Sequence, residues 1–219
     1  MEQRTFDTFI FDLDGTLLDT VPDLTLLTNR ILREVGVPEH TQEEILGYVG
    51  SGVRRLMQLA LPSDASDEMR ERAMALWNAH FAEYYEHSLP YPGVVELLGS
   101  LRERGIGIGV VSNKLQPGVD VVMNRVLPGM ADVMFGESEP IPRKPDPKGI
   151  QVAMKFLKTA GPDTIYIGDS PGDILAGRNA GTATAVALWG YHDKSDFPEA
   201  GAEPDVYVAN PLDLLAFAR

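Results

Sequence analysis

Short apolar runs are followed directly by polar residues of the types that phosphoryl transfer requires. Three such groups are residues 12–16 after 9–11, residues 112–113 after 109–111, and residues 169–173 after 166–168. A fourth group, residues 143–146, follows the apolar run 133–135 after a short loop. Carboxylates can act as nucleophile, general acid and metal ligands, while a hydroxyl and an ammonium can hold phosphate oxygens. The four groups together indicate phosphoryl-transfer chemistry.

The charges of these groups predict a cofactor. Like charges ~4 Å apart repel by roughly 4 kcal/mol at an effective dielectric constant of about 20. Four aspartates therefore need a cation if they are ionised together: Asp12, Asp14, Asp169 and Asp173. Carboxylate oxygens without His or Cys favour Mg²⁺ over zinc. We therefore expect Mg²⁺, with Lys144 as a second source of positive charge.

The elements that must position these residues form an alternating pattern. From residue 94 onward, apolar runs typical of strands alternate with helical periodicity, as at 106–111, 133–135, 164–167 and 183–188. This alternation predicts right-handed crossovers and a parallel sheet covered by helices on both faces. The carboxyl ends of such strands meet at one edge, where ligands bind. We expect a three-layer, Rossmann-like α/β core in which the polar groups converge.

A helical segment interrupts this pattern after the first strand. Thr20 and Thr41 stand at helix starts, and a longer helix is predicted from about residue 67 to 86. No strand pattern occurs in residues 19–87. We therefore assign residues 1–18 and 88–219 to the α/β core and residues 19–87 to an inserted helical domain.

Composition excludes several classes of function. The chain of 219 residues has a formal net charge of −13, which disfavours nucleic acid as a partner. It contains no cysteine, so disulfides and cysteine-ligated zinc are excluded. No apolar run approaches the length that spans a bilayer, and no signal-peptide core precedes Asp12. We expect a cytoplasmic enzyme without membrane partners, monomeric or homodimeric, that acts on a small phosphorylated metabolite.

The four groups, in this order and with a helical insert, resemble the signature motifs of the haloacid dehalogenase superfamily. Residues 91–93 (Tyr-Pro-Gly), 49–52 (Val-Gly-Ser-Gly) and 144–147 (Lys-Pro-Asp-Pro) are most similar to phosphoglycolate phosphatases and their relatives. The resemblance implies Mg²⁺-dependent hydrolysis of a small phosphate monoester, with 2-phosphoglycolate the best single guess. It also implies that residues 19–87 form a small mobile cap.

The resemblance assigns a role to each site residue. Asp12 would attack phosphorus and form an aspartyl-phosphate, and Asp14 would act as general acid and then general base. Metal ligands would be Asp12, the backbone carbonyl of Asp14, Asp169 and, directly or through water, Asp173. Ser112 and Lys144 would be catalytic groups that hold the phosphate oxygens. The substrate would also be bound by Gly15, Thr16 and Asn113.

Other interpretations remain open from the sequence. Isolated Asp-x-Asp pairs are often turn or cap residues, and either Asp169 or Asp173 could cap a helix. Arg54, after Gly50-Ser51-Gly52, could bind a substrate carboxylate or second phosphate, or could lie in solvent. A phosphomutase of the same superfamily, or a non-catalytic metabolite- or protein-binding regulator on the same fold, would fit the same motifs.

Overall fold

The computed structural model describes residues 4–219. The chain divides into two compact units. One unit combines the residues up to Asp19 with Pro90–Arg219, and the other is Thr20–Leu89. The short strands β2 (Leu18–Asp19) and β3 (Leu89–Pro90) stand at the two points where the chain passes from one unit to the other.

The first unit contains a six-stranded sheet in which every pair of neighbours is parallel, in the order β5-β4-β1-β6-β7-β8. Its strands are β1 (Thr8–Phe11), β4 (Gly107–Leu115), β5 (Val133–Glu137), β6 (Thr164–Gly168), β7 (Ala183–Ala187) and β8 (Val206–Val208). Its helices are α5 (Val94–Glu103), α6 (Gln116–Val126), α7 (Lys148–Leu157), α8 (Pro171–Ala180) and α9 (Asp196–Glu199). The predicted α/β architecture with a parallel sheet is confirmed.

Complete burial of the central strands explains their sequences. Every residue of β1, β6 and β7 is buried. Because successive side chains of a strand point to opposite faces, both faces of the sheet centre are covered. This is why the strands appear as continuous apolar runs and not as alternating patterns.

The second unit is helical, as the sequence predicted. It contains α1 (Val21–Val35), α2 (Gln42–Leu46), α3 (Val53–Ala60), α4 (Asp67–His80) and a 3₁₀ turn, Phe81–Glu83. The predicted helix start at Thr41 is confirmed, because its hydroxyl accepts from Glu44 N–H while the Glu44 carboxylate accepts from Thr41 N–H. Within residues 4–219, no helix is both long enough and apolar enough to cross a membrane.

Two predicted boundaries were wrong. The helix expected to reach residue 86 ends at His80, and Glu83 in the following turn pairs with Arg30 of α1 at 2.7 Å, a tertiary contact that periodicity does not encode. Strand β4 was expected to end at residue 111 but continues to Leu115, after a shift of register against β5. The last element of the first unit is a 3₁₀ helix, Pro211–Phe217.

Candidate active site

Strand order places three predicted site residues side by side. Strand β1 lies between β4 and β6, so Asp12, Ser112 and Asp169 occupy neighbouring positions at or near the carboxyl ends of adjacent strands. Asp12 N–H donates to the carbonyl of Ile167 at 2.8 Å, which continues the pairing of the two strands beyond β1. All three side chains are buried. The sheet edge therefore brings together residues that are 157 positions apart at the extremes of the sequence, from Asp12 to Asp169.

Three carboxylates form a compact cluster at this edge. Asp12, Asp169 and Asp173 each offer an oxygen, and these oxygens all lie within 4.8 Å of one another. Such closely spaced buried carboxylates repel one another strongly when ionised. Asp14, predicted to contribute its backbone carbonyl to a metal, does not belong to this cluster through its side chain.

The Lys144 ammonium lies against the cluster. Its Nζ is 2.5 Å from Asp173 Oδ1 and 2.7 Å from Asp12 Oδ1, and the side chain is only 4% exposed. Burial lowers the pKa of Lys144, but the Asp12 and Asp173 carboxylates outweigh burial and raise this pKa well above its ordinary value. The two carboxylates therefore favour the charged form of Lys144.

The buried Tyr166 of β6 completes the surroundings of Lys144. Its hydroxyl donates to the carbonyl of Val111 at 2.9 Å, and Lys144 Nζ lies 3.2 Å from the same hydroxyl. Burial, together with the Asp173 and Asp12 carboxylates, raises the pKa of Tyr166 well above its ordinary value, although Lys144 opposes this. Tyr166 thus stays a neutral phenol that fixes the position of the ammonium.

Asp173 combines a structural and an electrostatic role. It is the third residue of α8, and its Oδ2 accepts hydrogen bonds from Ser170 N–H at 3.0 Å and the Ser170 hydroxyl at 2.5 Å. Ser170, and not Asp169 or Asp173, is the cap residue of this helix. The capping box holds Asp173 so that its other oxygen meets Lys144.

Asp12 is electrostatically strained in the absence of a further cation. Burial and the Asp173 and Asp169 carboxylates raise its pKa well above the ordinary value, while Lys144 only partly offsets this. Asp12 Oδ1 is within ion-pair distance of Lys144 but lacks a partner with hydrogen-bond geometry. Additional positive charge near Asp12 would therefore favour its ionised form.

Asp169 is held by groups from two other loops. Its Oδ1 accepts from the Thr16 hydroxyl at 3.0 Å, and its Oδ2 accepts from Tyr191 N–H at 2.8 Å. A Cβ on Gly15 would lie 2.3 Å from Asp169 Oδ2, and one on Gly190 would lie 2.2 Å from Asp169 Cβ. The two glycines are required because the loops must approach this carboxylate closely.

Asp14 pairs with a lysine that the sequence did not bring forward. Lys114 Nζ lies 2.9 Å from Asp14 Oδ1 and 3.2 Å from Oδ2. The neighbouring Ser112 hydroxyl accepts a hydrogen bond from Lys114 N–H at 3.1 Å. Ser112, Lys114 and Asp14 are thereby linked.

The remaining predicted substrate contacts have other partners in this structure. Gly15 N–H donates to the carbonyl of Leu18 at 2.9 Å, and the Asn113 side-chain oxygen accepts from Lys144 N–H at 2.7 Å. Asn113 thus holds the loop that carries Lys144. Arg54 is an exposed residue of α3 in the helical unit. Contact of Gly15, Thr16, Asn113 or Arg54 with a substrate stays a prediction.

Sequence reasoning missed several residues around the site. Besides Lys114 and Tyr166, the loop after β7 contributes: Trp189 Nε1 donates to the carbonyl of Thr16 at 2.9 Å, and Asp169 raises the pKa of His192. The position of this loop could have indicated its role in the site, because it directly follows strand β7, just as the recognised motifs follow their strands.

The cluster suits a divalent metal ion. Its donors are carboxylate oxygens only, which hard cations such as Mg²⁺ prefer. Asp12 Oδ1 is buried without a hydrogen-bond partner, and Asp12 carries a raised pKa that a bound cation would counteract. Asp12 and Asp169 are the better placed ligands, because both oxygens of Asp173 are engaged by Lys144, Tyr166 and Ser170.

The fully parallel sheet carries a carboxylate cluster and a buried lysine at the carboxyl ends of its central strands. Residues 9–187 match the family described as haloacid dehalogenase-like hydrolase, and the chain belongs to this family.

The chain is similar over most of its length to proteins named phosphoglycolate phosphatase. The chain is 36% identical over 224 residues to a phosphoglycolate phosphatase of Vibrio vulnificus (strain CMCP6), covering 97% of this chain and 95% of the relative. It is 32% identical over 208 residues to one of Aquifex aeolicus (strain VF5), covering 94% and 93%. The crystal structure of a predicted phosphoglycolate phosphatase from Haemophilus somnus 129pt superposes with a TM-score of 0.87 at 25% identity, covering 96% of each chain.

Proposed function

We propose that this chain is a phosphoric monoester hydrolase that acts through a phosphoryl-aspartate on Asp12, with Mg²⁺ as its metal and 2-phosphoglycolate as the first candidate substrate. The observation that carries this proposal is the buried cluster of Asp12, Asp169 and Asp173, in which Lys144 pairs with Asp12 and Asp173. The names of the relatives at 32% and 36% identity support the choice of substrate.

Asp12 supplies the nucleophile in the first step. One of its carboxylate oxygens attacks phosphorus, the bond from phosphorus to the ester oxygen breaks, and Asp14 gives its proton to the departing oxygen. In the second step Asp14 takes a proton from water, whose oxygen attacks phosphorus. The bond between phosphorus and Asp12 then breaks, and inorganic phosphate is released. The proposed acid, Asp14, follows the proposed nucleophile by two residues in the sequence.

Positive charge and hydrogen-bond donors stabilise the transferring group. Lys144 offers an ammonium beside the nucleophile, and its buried setting strengthens the interaction with charge that develops on phosphate oxygens. Ser112 offers a hydroxyl from the neighbouring strand. The metal, held by Asp12 and Asp169, would neutralise the carboxylate cluster and polarise the phosphoryl group.

The helical unit acts as a cap in this proposal, and Arg54 as a substrate contact. Both assignments come from the sequence resemblance. A cap would exclude water during the first step and admit it for the second.

Phosphate release from a panel of phosphate esters tests the proposal directly. Purified protein with Mg²⁺ should release free phosphate from 2-phosphoglycolate faster than from sugar phosphates, and in equal amount to the glycolate formed. A phosphorylated isomer in place of free phosphate would identify a phosphomutase instead. Absence of any turnover across the panel would favour a non-catalytic binding protein and overturn the proposal.

A further inference from the structure

A second lysine of the site, Lys114, lies beside Asp14, the proposed general acid. Lys114 Nζ contacts both oxygens of Asp14, at 2.9 Å and 3.2 Å, and the side chains are only 17% and 15% exposed. The ion pairs of Lys144, by contrast, are with Asp12 and Asp173. The two lysines therefore serve different parts of the site, one beside the nucleophile and the other beside the acid.

The fold shapes a path for the Lys114 side chain. Its N–H donates to the Ser112 hydroxyl at 3.1 Å, and its stem runs along Gly118 in the first turn of α6. A Cβ on Gly118 would lie 3.1 Å from Lys114 Cγ and 3.3 Å from Cδ. The absence of a side chain at residue 118 thus leaves room for the lysine stem, and the ammonium is held at the site by packing as well as by charge.

The position of Lys114 determines what it can meet in a substrate. A general acid must lie within ~3 Å of the oxygen to which it gives its proton. Lys114 Nζ is 2.9 Å from Asp14 Oδ1, so it lies at most roughly 6 Å from the leaving oxygen. An anionic group one carbon beyond that oxygen falls within reach of the ammonium.

We propose that Lys114 is the substrate-binding residue that selects phosphate esters whose leaving group carries a second anion, such as a carboxylate one carbon from the ester oxygen. This inference rests on the proposed function, since it takes Asp14 as the acid. In this structure, Lys114 contacts the Asp14 carboxylate. When substrate binds, its carboxylate replaces Asp14 as the partner of the Lys114 ammonium, and Asp14 is then directed at the leaving oxygen. A neutral leaving group cannot exchange with Asp14 in this way.

Lys114→Met tests the proposal, because it removes the ammonium and keeps an unbranched stem. We expect kcat/KM for 2-phosphoglycolate to fall by about 10- to 100-fold, the effect of losing one charged hydrogen bond. For ethyl phosphate, which has a neutral leaving group, kcat/KM should fall much less, because only the placement of Asp14 is disturbed, so the preference for 2-phosphoglycolate over ethyl phosphate should shrink. Lys114→Arg should recover part of the selectivity. Lys155→Met, at an exposed position of α7, is the matched control and should leave both substrates unchanged.

Gly118→Ala provides a second variant that keeps the charge. Its Cβ presses on the Lys114 stem and displaces the ammonium, so it should also reduce the preference for 2-phosphoglycolate, by a smaller factor. Circular dichroism and thermal unfolding of each variant confirm that the fold is retained.

The outcomes separate this inference from the proposed function. Equal losses on both esters in Lys114→Met would assign Lys114 to the positioning of Asp14 and overturn selection by charge. Unchanged kinetics on both esters would also overturn it. Wild-type protein that hydrolyses ethyl phosphate as well as 2-phosphoglycolate would support the phosphatase and refute the selection. Wild-type protein that hydrolyses neither ester nor any other in the panel would refute both.

Discussion

The ammonium nitrogen of Lys144 lies 2.7 Å from Oδ1 of Asp12, and the two side chains are only 4% and 11% exposed. A buried ion pair costs desolvation energy on both sides, so its presence at this edge of the sheet is not explained by stability alone. Lys144 also lies 2.5 Å from Asp173, yet one ammonium does not offset three carboxylates. The cluster therefore has a net negative charge that a bound divalent cation would neutralise.

Removal of the Lys144 charge should impair both turnover and stability. In Lys144→Met the carboxylates of Asp12 and Asp173 lose their common cation, so kcat should fall by about 10²- to 10³-fold. The free energy of unfolding should fall by about 3 kcal/mol, as when one partner of a buried pair is removed. Phosphate release and urea unfolding measure the two effects. Lys148→Met, at an exposed position of α7, should change neither; a comparable loss there would show that the effects are not specific to the site.

Asp12→Asn should abolish turnover while the fold persists. The amide keeps nearly the same shape but cannot form the phosphoryl-aspartate, so phosphate release should drop by roughly 10⁴-fold or more. Because the pKa of Asp12 is raised by burial and by Asp173, the metal-free variant should be at least as stable as wild type. Acid-quenched wild-type protein should carry phosphate on the peptide that contains residue 12. Substantial residual turnover in a pure preparation would refute the covalent mechanism.

Stabilisation by Mg²⁺ should grow with pH. The folded-state pKa of Asp12 is raised, so the stability linked to its proton is fully present below the unfolded pKa and is lost as pH rises through the folded pKa. A metal ion needs the ionised carboxylate, so at low pH it competes with the proton. The Tm increase on adding Mg²⁺ should therefore be larger at about pH 8 than at about pH 5.5. Chelation should reverse it.

Asp12→Asn is the control for this pH effect, since it removes the titrating group. In this variant the Tm increase caused by Mg²⁺ should be small and should vary less with pH. An equal increase at both pH values in the wild-type protein would contradict the assignment of Asp12 as a metal ligand.

Parallel topology explains how much of the site the sequence could predict. Once β1, β4 and β6 are recognised as buried strands, the polar residues that follow them must meet, and Asp12, Ser112 and Asp169 do so. Side-chain direction is not contained in that argument. The Lys114–Asp14 pair depends on the continuation of β4 beyond Val111 and on the space at Gly118, neither of which a hydropathy pattern shows.

The same limit applies to the contacts that hold the site residues in place. The Thr16 hydroxyl donates to Asp169, a contact that its predicted role in substrate binding did not include. Tyr166 looked like an ordinary residue of a buried strand, yet its hydroxyl lies 3.2 Å from Lys144 Nζ. A periodicity argument places a residue on an element but does not identify the partner across the fold that its polar atoms will meet.

Within the helical unit, a buried carboxylate joins the start of α1 to the end of the unit. Asp23 accepts hydrogen bonds from the Ser88 hydroxyl at 2.7 Å and from His87 N–H at 3.0 Å, and the His87 ring lies 3.1 Å from it. The Asp23 side chain is 4% exposed, whereas that of His87 is 60% exposed. The carboxylate is therefore the buried centre of this cluster, and its loss would leave the buried Ser88 hydroxyl without this acceptor.

Asp23→Ala should destabilise the helical unit more than the α/β core. Loss of the acceptor leaves the buried Ser88 hydroxyl unsatisfied, at a cost of about 1–3 kcal/mol, and removes the hydrogen bond from the more exposed His87 N–H. Hydrogen exchange should show faster exchange in α1 with little change in β1 and β6, because only the helical unit loses a contact. Asp64→Ala, at an exposed position of the same unit, is the matched control. Unchanged exchange in α1 of Asp23→Ala would show that the cluster does not stabilise this unit.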